Sequence, residues 1–324
     1  MDPEGYDVVV IGGGAAGLSG ALMLARARRS VMVVDSGAPR NAPAGGVHGL
    51  LALDGLPPAE LLARGRDEVR RYGGTVSSGE VTRAERAGSG FVVEVGDGRS
   101  FSARRLLVTT GLVDELPEIA GLRERWGRDV LHCPYCHGWE VRDQAIGVIA
   151  TGPRSVHQAL MFRQWSDDVT FFSHTRPGPA PEERQQLEAR GIPVVDGEVS
   201  SLEVTGGRLT GLRLRDGAVV QRDAVAISPR MTARASFLST LGLTAVEHPS
   251  GAGEHVPVDA DGLTSVAGVW AAGNVTDLLA QVGGAAAAGA HAATRINADL
   301  VAEETQRAVE RARRRTEGTR MGST

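Results

Sequence analysis

The chain has only two cysteines in 324 residues, and both lie in Leu131-His132-Cys133-Pro134-Tyr135-Cys136-His137-Gly138-Trp139. Two intervening residues let one sulfur attack a mixed disulfide on the other without a large backbone movement. Pro134 suits the first position of a helix, because it lacks the amide hydrogen that would go unpaired there. Cys133 then falls at the N-cap, where helix amides and the helix dipole favour a thiolate. The segment reads as a redox dithiol. Two other uses of these residues fit less well. A structural bridge belongs to oxidising compartments and small cores, and nothing in the chain points to export. Zinc could draw on Cys133, Cys136, His132 and His137, but four ligands on one short turn surround a tetrahedral ion poorly. No second Cys-x-x-Cys or His pair follows, and no metal is expected.

A dithiol needs a scaffold that brings it to an electron acceptor, and the start of the chain supplies one. Residues 7–11, Asp-Val-Val-Val-Ile, form the apolar run of a buried parallel strand. It meets Gly12-Gly13-Gly14-Ala15-Ala16-Gly17, which fits G-x-G-x-x-G. A helix is expected over 18–28 and a second strand over 30–34, ending at Asp35. This is the opening of a dinucleotide site: glycines for a tight turn and close pyrophosphate approach, a helix N-terminus for its charge, an acid for a ribose hydroxyl. Gly12, Gly14, Ala15, Ala16, Gly17, Asp35 and Ser36 are therefore candidate cofactor contacts. Residues 37–56, rich in Gly, Pro and Ala, read as a loop over a bound cofactor, with Arg40, Asn41 and His48 as contacts. A lone loop histidine gives no ground for a catalytic role. A helix over 57–72 follows, with Leu61, Leu62 and Val69 on one side, then strands over 75–81, 90–95 and 100–109. Val81 and the strand end at Thr109-Thr110-Gly111 bring Val81, Thr110 and Gly111 into the candidate set.

After Leu112 the composition changes, and Pro117, Gly121 and Gly127 mark a linker into the dithiol segment. A second strand–turn–helix covers 145–150, Thr151-Gly152-Pro153-Arg154-Ser155 and 156–165. It has the outline of another dinucleotide site, yet Ala150 stands where the first glycine belongs and Pro153 follows Gly152. A methyl group there obstructs the close approach that glycine permits. The next strand, 169–173, leads to His174-Thr175-Arg176, a thin provision for a 2′-phosphate. This half keeps the fold and is expected to have lost the nucleotide. Strands over 194–199, 202–204, 209–214 and 219–227 complete it, with Gly206-Gly207 and Asp216-Gly217 as hairpin signals. Residues 229–243 cross back to a strand over 266–271, Gly273-Asn274, and a small-residue helix over 281–301. Its N-terminus at Gln281-Val282 can face an electron-rich ring or carbonyl, so Gly273, Asn274, Gln281 and Val282 close the list of cofactor contacts. Beyond Glu303 the charged stretch, basic over 311–315, reads as a solvated helical tail.

Composition narrows the function classes. Hydrophobic residues at 42% and charged residues at 23% are ordinary for a globular chain. A net charge of −4 argues against a general nucleic-acid binder. All 35 basic residues are arginine, which excludes Schiff-base lysine chemistry. No apolar run reaches membrane-spanning length, and a strand that begins by residue 7 leaves no signal peptide. A cytoplasmic enzyme is expected, without nucleic-acid or membrane partners.

Over nearly its whole length the chain resembles the low-molecular-weight thioredoxin reductase family. Gly12-x-Gly14-x-x-Gly17, Thr109-Thr110-Gly111, Cys133-x-x-Cys136 and Gly268-Val269-Trp270-Ala271-Ala272-Gly273-Asn274 with Gln281 match in order. The resemblance implies FAD as cofactor, a homodimer, and an α/β architecture of two Rossmann-like nucleotide-binding domains. The FAD domain would be split, 1–114 and 245–324, by an inserted NADPH-domain-like unit over 115–244. The departures are informative. The reductases usually carry Cys-Ala-Thr-Cys-Asp, G-x-G-x-x-A with a His-Arg-Arg run, and Gly-Asp. Here the same places read Cys133-Pro134-Tyr135-Cys136-His137, Ala150-Thr151-Gly152-Pro153-Arg154-Ser155 with His174-Thr175-Arg176, and Gly273-Asn274. That combination looks like the dithiol oxidase branch, which closes the disulfide of holomycin, gliotoxin and related natural products with FAD and O2 and does not require NADPH. It implies a small-molecule dithiol as substrate: a substrate thiolate attacks Cys133, Cys136 passes the electron pair to the isoalloxazine, and oxygen leaves as hydrogen peroxide. His137 titrates near neutrality and is the expected acid/base. The alternatives are an NADPH-dependent or ferredoxin-driven thioredoxin reductase and a non-catalytic dithiol-binding flavoprotein.

Overall fold

In the computed structural model, which describes residues 4–321, the opening apolar run forms β1 (Glu4–Ile11), followed by α1 (Ala15–Arg26) and β2 (Val31–Asp35). Val8, Val9 and Val10 are all fully buried, as expected of a strand covered on both faces. The helix begins at Ala15 rather than 18, because Gly14 already serves as its N-cap. After α2 (Pro58–Arg71) come β3 (Thr75–Ser78), β4 (Val81–Ala87), β5 (Gly90–Val95) and β6 (Ser100–Val108). The strand expected over 75–81 is thus two, separated by a turn at Gly79, where φ is +155°. The strands order as β3-β2-β1-β6-β5-β4, parallel through β6 and antiparallel beyond it.

The chain leaves this sheet along β7 (Leu112–Glu115) and builds a second one. Its elements are β8 (Val130–Leu131), α3 (Pro134–His137), β9 (Ile146–Ile149), α4 (Ser155–Phe162), β10 (Val169–Phe172), α5 (Pro181–Ala189), β11 (Val194–Val195), β12 (Val199–Thr205), β13 (Arg208–Leu214), β14 (Val219–Gln221) and β15 (Ala224–Ile227). The sheet β11-β10-β9-β15-β8 is parallel. One of its faces buries Leu202, Leu209 and Leu212 of the antiparallel β12-β13-β14 unit against Val130, Ile149 and Phe172. The single strand expected over 219–227 is divided between these two sheets. Asp223 breaks it, donating its N–H to the Ala145 carbonyl at 2.8 Å and accepting the Ala145 N–H at 3.1 Å. The run expected over 194–199 is likewise broken, at Gly197 with φ +118°.

The return path, β16 (Arg230–Ala233), pairs antiparallel with β7, so the two crossings form one ribbon. After β17 (Val246–Glu247) and β18 (Glu254–His255), β19 (Val269–Ala271) adds to β6 in parallel. The first sheet is therefore assembled from chain on both sides of the second, the split α/β architecture that the resemblance implies. Re-entry precedes residue 245: Ala235, Leu238 and Leu243 already lie in the first sheet's core with Ala84 and Phe91. Last comes α6 (Val282–Met321), which packs along α1 and continues as one helix through the stretch beyond 303 that reads as a helical tail. The two helices touch through glycine: a Cβ on Gly289 would lie 1.9 Å from the Ala16 carbonyl oxygen. Further along, Asp299, Glu303 and Glu304 of α6 pair with Arg104 and Arg105 of the central strand β6 and with Arg29 just before β2. Among the described residues no helix is long and apolar enough to cross a membrane.

Candidate active site

The dithiol sits where β8 ends at the edge of the second sheet. Cys133 is extended, at φ −94° and ψ 116°, and caps α3, with Pro134 at its first position. Its Sγ accepts the Cys136 N–H at 3.2 Å, the N-cap geometry that the Pro-containing motif predicts. The two cysteines are joined as a disulfide across a Cα–Cα distance of 5.2 Å. Gly138 closes the turn against the Trp165 ring, where a Cβ would come within 2.7 Å. Tyr135 meets the same ring edge-on at 5.7 Å.

The two flanking histidines differ. His132 Nδ1 lies 3.1 Å from the Ile227 carbonyl; a carbonyl only accepts, so Nδ1 carries the hydrogen and Nε2 is the free acceptor. Burial, with Arg40 and Arg154 nearby, pushes its pKa down. Gln158 donates from Nε2 to both the His132 and Ile227 carbonyls, at 2.6 and 2.9 Å, and clamps the dithiol segment to the end of β15. Burial also pushes the His137 pKa below the usual imidazole range, against an upward pull from Glu140. His137 is thus neutral at neutral pH and able to take a proton.

Facing the disulfide is the glycine turn between β1 and α1. Gly12 has φ +104°, and a Cβ there would strike the Thr109 carbonyl oxygen at 2.5 Å. Gly14 faces open space, so the N-terminus of α1 is left bare toward a ligand. Asp35 is held beside the turn by the Gly13 N–H at 3.1 Å. Thr109 Oγ1 donates to the Gly12 carbonyl at 2.8 Å and ties the end of β6 to the turn. Thr110 Oγ1 donates to the Arg234 carbonyl at 2.6 Å, linking that strand end to the return crossing.

One cavity of about 950 Å3 joins the two halves of the site. Its lining takes in Gly12, Gly14, Ala15, Ala16, Asp35 and Ser36 of the first half and Cys133, Cys136 and His137 of the dithiol segment. Arg40, Asn41, His48, Val81, Thr110, Gly111, Asn274, Gln281 and Val282 line it as well. Two expected contacts lie behind this lining. Gly17 is pressed against the Gly12 carbonyl oxygen, 1.9 Å from where its Cβ would be, and serves helix–strand packing. Gly273 packs under Ala16 at 2.8 Å by the same measure. Arg40 lines the cavity while its guanidinium forms a two-pronged pair with the buried Asp114, at 2.7 and 2.8 Å. Asn274 donates from Nδ2 to the Asp277 and Ala280 carbonyls at 3.0 and 2.9 Å. A carboxylate, which only accepts, could not hold that loop, and this accounts for asparagine where the reductases carry aspartate. A bare helix N-terminus, a glycine turn and a cavity of about 950 Å3 lined by both the turn and the disulfide together fit a flavin dinucleotide.

The second strand–turn–helix is closed from within. Thr151 Oγ1 donates to the Ser228 carbonyl and accepts the Ser228 N–H, each at 2.9 Å. Ser155 Oγ accepts the Gly152 N–H at 3.2 Å and donates to the Gly152 carbonyl at 2.9 Å. The Thr151 and Ser155 hydroxyls and the Gly152 N–H of this turn are thus engaged by the chain itself. Ser228 and Gln158 carry much of the site's local order and escaped the reading of the sequence. Gln158 had a signal, a polar residue on the apolar side of α4, whereas Ser228 had none. Among the described residues no cluster of three His, Cys, Asp or Glu is placed to hold a metal ion.

Comparison with known proteins gives a consistent result. The sequence signature of the family described as "Pyridine nucleotide-disulphide oxidoreductase" matches residues 6–295. Thioredoxin reductase tcpT of Claviceps purpurea (strain 20.1) is 32% identical, over 91% of this chain and 95% of the relative. A crystal structure of HlmI superposes with a TM-score of 0.90 at 48% identity, over 96% of this chain and 97% of that one. The oxidoreductase from Agrobacterium tumefaciens follows at 0.85 and 37%, over 91% and 98%.

Proposed function

The chain belongs to the pyridine nucleotide-disulphide oxidoreductase family and is an FAD-binding disulfide oxidoreductase, and from that premise we propose that it is a dithiol oxidase. Its substrate is a small dithiol of the dithiolopyrrolone or gliotoxin kind, closed to an intramolecular disulfide with O2 as acceptor and H2O2 as product. The observation that supports this reading is the second turn, where Ala150 and Pro153 depart from the glycine pattern and the Thr151, Ser155 and Gly152 groups are engaged with Ser228 and one another.

The chain's own residues perform the sulfur chemistry. His137, neutral at working pH, removes the proton of one substrate thiol. The resulting thiolate attacks Cys133 Sγ; the substrate–Cys133 bond forms and the Cys133–Cys136 bond breaks, leaving Cys136 as thiolate. The second substrate thiol, deprotonated in turn, attacks the first substrate sulfur and expels Cys133, whose departing charge is stabilised by the Cys136 N–H. The substrate loses two electrons and the cysteine pair gains them. Gly12, Gly14, Ala15 and Asp35 would hold the dinucleotide, and Gln281 and Val282 would face its ring from the start of α6. FAD held there would supply a two-electron acceptor for the reduced cysteine pair, one that dioxygen can reoxidise. A non-thiol substrate would have no use for Cys133 at the cavity wall.

The test is aerobic turnover with a small dithiol and no nicotinamide. One mole of cyclic disulfide and one of peroxide per mole of oxygen supports the oxidase, with both products abolished in Cys133→Ser. Turnover only with NADPH or with a reduced protein partner would replace it with a reductase.

A further inference from the structure

His48 sits where two cavities meet. The large cavity and a second one of about 530 Å3 behind the dithiol helix share His48 and His137 on their common wall, and Arg128 and Glu140 line the smaller one. Each ring nitrogen of His48 faces a carboxylate: Nε2 is 3.4 Å from Glu140 Oε1, and Nδ1 is 3.4 Å from Asp54 Oδ2. Asp54 is held in place by the Gly49 N–H at 2.8 Å. Its side chain is 66% exposed and opens on bulk water. Glu140 follows His137 by three residues, and the charges of Glu140 and His48 both act on the His137 ring. His137, Glu140 and His48 line the smaller cavity together, Asp54 stands on the other side of the His48 ring, and the Glu140 side chain, 43% exposed, opens on water as well.

We propose that His48 is a positioning residue that exchanges protons between His137 and water by way of the smaller cavity. The inference rests on the dithiol chemistry proposed above, since each thiol–disulfide exchange takes a proton from an attacking thiol and returns one to a departing thiolate. His137 must be reset between those steps. An imidazole flanked by two carboxylates can accept a proton on one nitrogen while releasing one from the other. Only protons move among these groups; the electron pair stays with the sulfurs. The charged groups around His48 are Asp54 on its own loop, Glu140 from the dithiol segment and Arg128 from the stretch before β8, and the neutral His137 shares its cavity.

The test uses the FAD-loaded protein under argon, with dithiothreitol as the dithiol and flavin bleaching as the readout. His48→Gln keeps hydrogen-bonding capacity but cannot titrate. At neutral pH the variant should bleach at least tenfold more slowly than wild type, and added free imidazole should restore the rate. Its flavin content and thermal midpoint should match wild type. Equal rates across pH would overturn the relay. So would a loss that imidazole does not relieve, or one that tracks lost flavin, which would make His48 a cofactor contact only. A wild-type protein that dithiothreitol fails to bleach would take the dithiol reading down together with the relay. Wild type bleaching beside an equally fast variant removes the relay alone.

Discussion

Two substitutions of identical size, Gly14→Ala and Gly17→Ala, should have opposite consequences. At Gly17 an added methyl carbon would stand 1.9 Å from the Gly12 carbonyl oxygen and 2.6 Å from Thr109 Oγ1, where ordinary contact begins at 3.4 Å. Relief requires α1 to withdraw from the strand end by about 1.5 Å, and overpacking of this kind costs about 1–3 kcal/mol. At Gly14 the backbone is extended, with φ −77° and ψ −172°, and a methyl meets nothing within 4 Å. The apoprotein should lose no more than about 1 kcal/mol, the ordinary preference for glycine over alanine at an N-cap. If the dinucleotide's phosphates lie against the helix N-terminus as proposed, that methyl would project toward them in the loaded protein. Losing one charge-assisted hydrogen bond there, at about 1.5–3 kcal/mol, weakens FAD roughly ten- to hundredfold. Thermal unfolding of both apoproteins and titration with FAD separate the two effects. Gly17→Ala should lower the apoprotein midpoint by several degrees, while Gly14→Ala should leave it near wild type and bind FAD poorly. A Gly14→Ala variant that binds FAD like wild type would refute the placement of the phosphates. A Gly17→Ala apoprotein as stable as wild type would refute the packing argument.

Three further outcomes follow from particular side chains. Since burial holds the His137 pKa below the usual imidazole range, its basic form persists to lower pH, and the acid limb of dithiol turnover should fall below that of a free histidine. His137→Ala should remove this limb and lower the rate roughly a hundredfold; unchanged turnover across pH would take His137 out of the mechanism. Arg29 and Arg104 hold the Glu304 carboxyl at about 2, below its ordinary 4.5. The stability it contributes is present above pH 4.5 and is lost as pH falls toward 2. The midpoint gap between wild type and Glu304→Ala should therefore be widest near neutrality and close with acidification, as read by thermal scans across pH. Arg40→Ala strands the buried Asp114 carboxylate and should cost about 3 kcal/mol. Adding Asp114→Asn should recover part of that loss, whereas strict additivity in denaturant titrations would show the pair to be unimportant.

The first half of the site was legible because its signals are local. A continuous apolar run, three glycines and an acid at the next strand end specify strand, turn and helix within about thirty residues. The dithiol helix was legible for the same reason: Cys133, Pro134 and Cys136 set cap, first position and spacing by themselves. What escaped depends on distant partners or weak periodicity. α5 has a charged sequence, Pro-Glu-Glu-Arg-Gln-Gln-Leu-Glu-Ala, in which only Leu187 is buried beyond doubt, so no apolar stripe announces it. The division of 219–227 hinges on Asp223 meeting Ala145 across the sheet. Ala150 and Pro153 mark the second turn as unusual, but its tie to Ser228, more than seventy residues on, has no local signal. Residues 37–56 read as a cofactor cover. The structure adds that Arg40 and His48 reach Asp114 and Glu140 of the chain's middle portion, contacts that no local pattern encodes.

The central claim is that electrons enter through Cys133 and Cys136 and leave to oxygen, with no nicotinamide in the circuit. Anaerobic mixing of the FAD-loaded protein with a small dithiol, and separately with NADPH, tests it most directly. The dithiol should bleach the flavin rapidly, NADPH should leave it coloured, and admitting air should restore the colour with stoichiometric peroxide. Rapid bleaching by NADPH would contradict it.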